Sequence, residues 1–171
     1  MKKLTRLKKL IKSYKIDGYI IPKNDEFFGE YVPDALDNLK FISNFKGSYG
    51  FALVLKYENY LFVDGRYTLQ AKIQSGKEFK IITMPNKFPS DILGNKKLTI
   101  GFDPKLHTKL MTKRLFNKTN CKLIALNENL INKIWKRKKE NETRKFYTLK
   151  DKDSGQSSKS KVKKLSKILN K

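Results

Sequence analysis

The chain has 171 residues, 39% of them hydrophobic, and carries 39 lysines and arginines against 16 aspartates and glutamates, a formal charge of +23. That is length and apolar content for one core-forming domain with a tail. One histidine (His107) excludes two-histidine metal motifs, one cysteine (Cys121) excludes an intrachain disulfide or a CxxC clip, and no apolar run reaches the ~20 residues of a membrane span.

The charge alone points toward nucleic acid or an acidic partner. Only Arg6, Arg66, Arg114, Arg137 and Arg144 are arginine, however, so the basic residues are overwhelmingly lysine. The planar arginine fork is the better reader of phosphates and bases. A compositional lysine bias on solvated faces therefore accounts for the charge, and no specific nucleic-acid or membrane partner is expected. A basic interaction module that binds nucleic acid or an acidic partner is the alternative. The lone cysteine fits a reducing, cytoplasmic setting.

Residues 1–12 place Leu4, Leu7, Leu10 and Ile11 at the spacing of an amphipathic helix packed on a domain, with neither a continuous apolar signal core nor a small-residue cleavage site. Asp17-Gly18 ends it, and Tyr19-Ile20-Ile21-Pro22 reads as a buried strand. Residues 23–45 are polar and aromatic without a period, hence loop with a short helical turn. Phe51–Leu55 and Tyr60–Val63 form a hairpin across Glu58-Asn59. A helix is predicted over 67–74, a strand over 79–83, a short helix over 89–93 and a strand over 98–102. A longer helix over 105–117 would bury Leu106, Leu110, Met111 and Leu115. A strand over 123–126 follows, then a helix through Leu130, Ile131, Ile134 and Trp135 with Asn127 as its cap. The fold class is α/β, a mixed six-stranded sheet with flanking helices.

The domain is expected to span residues 1–137. From Lys136 onward 14 residues are basic and 4 acidic. Residues 138–171 read as a basic linker, largely disordered around 152–161, leading to a remnant of a second domain whose last twelve residues could be a helix with an unpartnered apolar stripe. An exposed apolar patch is expected around Ile131, Ile134 and Trp135.

No catalytic constellation is present. His107 follows Asp103-Pro104 at a helix start, where a surface or capping role is expected, and Cys121 opens a strand as a core residue. Asp25, Glu26, Glu30, Asp34 and Asp37 are loosely spaced and read as a solvated loop rather than a cation site. No glycine-rich phosphate cradle occurs. Gly47 and Gly50 flank the first hairpin strand and imply positive φ or close backbone approach. Arg66, after a strand end and a glycine, is free to pair across an interface or locally with Asp64 or Asp103.

Four segments in order, Asp17–Pro22, Glu30–Pro33, Phe41–Gly50 and Phe62–Ala71, together with the weaker match of Asn129–Trp135, resemble the N-terminal domain of aminopeptidase P, the Xaa-Pro aminopeptidase family. The resemblance implies the ribonuclease H-like motif of that domain. It also implies that the chain ends before the catalytic domain, in which two divalent ions, typically manganese, are held by two Asp, one His and two Glu. Nothing here matches those ligands, so no catalytic, cofactor-binding or metal residue is expected. In the family this domain serves dimerisation and walls the substrate pocket; Asn38, Tyr49 and Arg66 are the candidate residues for that role. A separately encoded catalytic portion or a second copy is the expected partner. Two residues depart from the family: Asn44 stands where glycine is usual, a position where asparagine tolerates a left-handed backbone, and Tyr49 replaces a small residue.

Overall fold

The computed structural model describes residues 2–29, 31–137 and 145–170. Six strands form one mixed sheet in the order β4-β3-β2-β1-β5-β6. They are β1 (Gly18–Pro22), β2 (Gly50–Leu55), β3 (Asn59–Asp64), β4 (Lys80–Met84), β5 (Thr99–Phe102) and β6 (Lys122–Ala125). β2 runs antiparallel to both β1 and β3, and the other neighbours are parallel. The tight turn between β2 and β3 is closed by Leu55 N–H donating to Glu58 O at 2.8 Å.

Strand alternation divides the apolar side chains between the two faces. Tyr19, Ile21, Ala52, Val54, Leu61 and Val63 face a core shared with α1 (Lys2–Ser13), α2 (Asn38–Ser43), α3 (Thr68–Ser75) and α6 (Leu130–Ile134). Ile20, Leu53, Phe62 and Ile100 face a second core, under α4 (Pro89–Leu93) and α5 (Lys109–Phe116). The mixed six-stranded α/β architecture expected from the sequence is the one observed.

Local chemistry moves several boundaries. The helical turn expected within 23–45 is α2, started by Asp37, whose carboxylate accepts from Lys40 N–H. It ends at Asn44, which takes the left-handed conformation at φ 63°. Thr108 caps α5 and delays its start to Lys109, and in that frame Leu110 points outward at 75% exposure while Thr112 and Phe116 are buried. Leu106 is buried in the preceding turn. Asn129, not Asn127, caps α6.

The expected exposed patch at the end of the domain is absent. Ile131 and Ile134 are buried, because α1 lays Leu4, Leu7 and Ile11 into the same core. Trp135 stacks on Phe41 with ring centroids 4.5 Å apart and planes 10° off parallel. The acidic loop is not simply solvated either. Asp25 and Asp37 are buried: Asp25 accepts from Phe27 N–H at 3.0 Å, and Asp37 pairs with Lys23 at 2.5 Å. Glu30 lies outside the described residues, as do residues 138–144.

The chain divides into two compact units, 1–138 and 139–171. In the second unit the stretch read as a disordered linker carries α7 (Asp151–Ser154) and the start of α8 (Ser158–Leu169). Ser157 caps α8 by accepting from Ser160 N–H, and a Ser-rich start of this kind favours helix rather than coil. Val162, Leu165, Ile168 and Leu169 on α8 are exposed. Among the described residues no helix is long and apolar enough to cross a membrane.

Candidate functional site

β1, β3, β4 and β5 all run in one direction, so their C-terminal ends share one edge of the sheet. From β1 the chain first progresses through β2, β3 and β4, then returns to the other side of β1 with β5 and β6. The loops after β1 and β5 therefore diverge, which opens a crevice at the carboxyl ends of the strands. A cleft of about 630 Å³ lies there. Pro22, Lys23 and Asn24 enter it after β1, Ser48 and Tyr49 before β2, Asp64 and Arg66 after β3, and Met84 and Phe88 after β4. The segment at α5 contributes His107, Met111, Arg114 and Leu115.

Arg66 is held by Asp64. Its Nη2 donates to Asp64 Oδ2 at 2.6 Å, its Nε reaches both carboxylate oxygens at 3.2 Å, and its backbone N–H donates to Oδ1 at 2.9 Å. The hydrogen bond from Arg66 keeps the Asp64 carboxyl below the usual carboxylate range, and Asp64 in turn raises the guanidinium. Arg66 remains 74% exposed, so the pair adds little stability. It fixes the direction of the fork at the cleft mouth. Local pairing with Asp64, one of the options open from sequence, is the one realised.

Tyr49 stands 55% exposed at the same mouth. Beside it the loop after β1 exposes Phe27 (78%), Phe28 (45%) and Tyr31 (84%). Beyond Arg66, Leu69 and Ile73 lie one and two turns along the same face of α3, and they too are exposed. The glycines explain how the turn fits: a Cβ at Gly50 would lie 2.6 Å from Phe62 O, and one at Gly47 would lie 2.2 Å from Phe45 Cζ.

Asn38 is not at the cleft. It is buried on the other face of the sheet and accepts from Arg137 Nη2 at 2.6 Å. The structure thus brings Tyr49 and Arg66 together and leaves Asn38 apart.

His107 departs from the surface or capping role expected of it. It is buried, T-shaped against Phe102 at 5.5 Å, and donates from Nδ1 to Asp103 O at 2.9 Å. Burial pushes its pKa below the ordinary value. No sequence pattern marks this, because the burial comes from the β5 end folding over the ring. Cys121 is half-buried and free.

Residues 3–134 match the Creatinase/Prolidase N-terminal domain family. A probable Xaa-Pro aminopeptidase P of Laccaria bicolor is 33% identical over 143 residues, covering 78% of this chain and 22% of the relative. The crystal structure of X-prolyl aminopeptidase from Caenorhabditis elegans, described as a cytosolic enzyme with a di-nuclear active site, superposes with a TM-score of 0.79 at 27% identity, covering 99% of this chain and 31% of that one. The N-terminal domain of cytoplasmic peptidase PepQ from Mycobacterium tuberculosis shares the fold, with a TM-score of 0.60, 20% identity and coverage of 78% and 98%. The chain spans less than a third of the length of the curated relatives it matches.

Divalent ions of the kind the resemblance implies find no fitting donor set here. Among the described residues no three His, Cys, Asp or Glu side chains gather into a cation site, and the one histidine is committed through Nδ1 to a backbone carbonyl. The match runs from α1 through all six strands to α6, and the chain belongs to the Creatinase/Prolidase N-terminal domain family, among relatives that are Xaa-Pro aminopeptidases.

Proposed function

We propose that this domain is the non-catalytic N-terminal domain of a Xaa-Pro aminopeptidase, and that it serves by walling a substrate pocket and by holding a partner subunit. The observation that carries the reading is the clustering of exposed aromatic side chains and a fixed arginine at one cleft mouth: Phe27, Phe28, Tyr31 and Tyr49 beside Arg66. Aromatics and arginine dominate the energetics of protein interfaces. Leu69 and Ile73 extend this surface along α3. The partner is a catalytic portion of the aminopeptidase type or a second copy of the chain. Such a domain removes no residue before proline by itself. The same reading puts the protein in the cytoplasm, consistent with its free Cys121 and with the relative described as cytosolic.

Two measurements test this. The purified chain supplied with manganese should show no Xaa-Pro cleavage; turnover that follows the chain through purification and vanishes on deletion of residues 47–67 would sink the non-catalytic assignment. In sedimentation with and without a separately expressed aminopeptidase P catalytic portion, the chain should enter a complex or self-associate. Leu69→Lys with Ile73→Lys should abolish that association while leaving the melting temperature unchanged. A chain that stays monomeric and ignores the catalytic portion would refute the partner role.

A further inference from the structure

The floor of the cleft carries chemistry that the mouth does not use. His107, Met111, Arg114 and Leu115 all line it, and their spacing of three and four is that of one helix face. His107 is only 7% exposed. Because Asp103 O can only accept, the proton of the neutral ring sits on Nδ1, and Nε2 is left as a lone-pair acceptor. That Nε2 has no hydrogen-bond partner among the described residues. Buried acceptors are ordinarily satisfied, so this one calls for a donor from outside. Further along the same face, Arg114 takes part in no ion pair or hydrogen bond among the described residues. Met84, Phe88, Met111 and Leu115 supply apolar wall between them.

The geometry points to a binding site for the free C-terminal end of a short apolar peptide. Its carboxylate would lie on the Arg114 fork, a backbone N–H would donate to His107 Nε2, and an apolar side chain would rest against Met84, Phe88 and Met111. Seven residues of α5 and its lead-in separate the two polar anchors, on the order of 10 Å, which is the length of about three extended residues. A volume of about 630 Å³ falls within the roughly 300–1,000 Å³ of small-ligand sites. A bare carboxylate would satisfy Arg114 and leave Nε2 empty, and a fatty acyl chain offers no donor at that distance; a peptide supplies both. The site uses neither Tyr49 nor Arg66, so it stands or falls independently of the pocket-wall reading.

Because the chain has one histidine, the imidazole nitrogens of the full chain give one unambiguous pair of nitrogen-15 signals. The probe is acetyl-Gly-Ala-Leu with a free carboxylate, at physiological salt. It should shift the Nε2 signal saturably, and its C-terminal amide should bind at least about tenfold more weakly. Arg114→Gln, an exposed change that leaves the fold intact, should weaken the acid by a similar factor and leave the amide unaffected. No saturable shift at millimolar peptide would overturn the site. So would an equal response to the amide, or to acetate alone, which would mean only that a basic chain attracts anions.

Discussion

Arg137 donates from Nη2 to Asn38 Oδ1 and to Asn132 Oδ1, both at 2.6 Å, while its guanidinium lies 4.9 Å from the Trp135 ring. Burial lowers the Arg137 pKa, and its Nε has no partner among the described residues. Asn38 therefore supplies one of only two acceptors for a half-buried cation. Asn38→Ala should destabilise the domain by about 1–3 kcal/mol, the cost of leaving a buried charged donor short of a partner. Urea unfolding measures it, and an unchanged midpoint would show that Asn38 has no such duty.

The same closure sets the end of the cooperative unit. A chain ending at Arg137 should melt at the temperature of the full chain. Ending it at Ile134 removes the Trp135–Phe41 stack and the Arg137 bonds, and should lower the melting temperature by several degrees per kcal/mol lost, about 4 °C for a domain of this size. Thermal melts of the three lengths decide it. A drop already on ending at Arg137 would mean that residues after 137 contribute to the fold.

Gly50→Ala should cost about 1–3 kcal/mol. The added methyl meets Phe62 O, a backbone atom in the paired strand, so no side-chain rotation relieves the contact. Gly65→Ala is the control, since nothing lies within 4 Å of its Cβ position. Equal losses in chemical denaturation would remove the steric explanation.

His107 makes stability depend on pH. Its folded pKa is depressed, mainly by burial, below the ordinary 6.5. The unfolded chain therefore takes up the proton first as pH falls. The contribution of the neutral ring is fully present above about pH 6.5 and is lost as pH drops from there toward the folded value. Between about pH 7 and 5 the wild type should lose more stability than His107→Gln. Parallel curves for the two proteins would show that the ring does not titrate across folding. The lowered carboxyls of Asp34, Glu58, Asp64 and Glu128 respond further down and are common to both.

All six strands were legible in the sequence, because each is a short apolar run closed by Gly, Pro, Asp or Asn, and such punctuation acts locally. The left-handed Asn44 and the crowded Gly47 and Gly50 were legible for the same reason. What was not legible depends on segments far apart in the chain. Ile131 and Ile134 read as an open patch until α1, more than a hundred residues earlier, lies across them. The face of α5 turned because Thr108 rather than Asp103-Pro104 starts it, which carries Leu110 outward. Tyr49 and Arg66 could be named from a resemblance, but Asn38 could be separated from them only by the side of the sheet on which α2 packs.

The pairing of β1 orders the assembly in time. Gly18 pairs with Leu55 through a local meander and with Ile100 through a far longer loop. Closing the longer loop costs more chain entropy, and local pairings precede distant ones. The β1–β2–β3 meander is thus available early, and the return of β5 with α5 comes late. Walls of the cleft come from both halves, so the cleft exists only after that return. Whatever occupies it binds, and by mass action stabilises, the finished chain alone, and so separates completed molecules from those that have made only their meander.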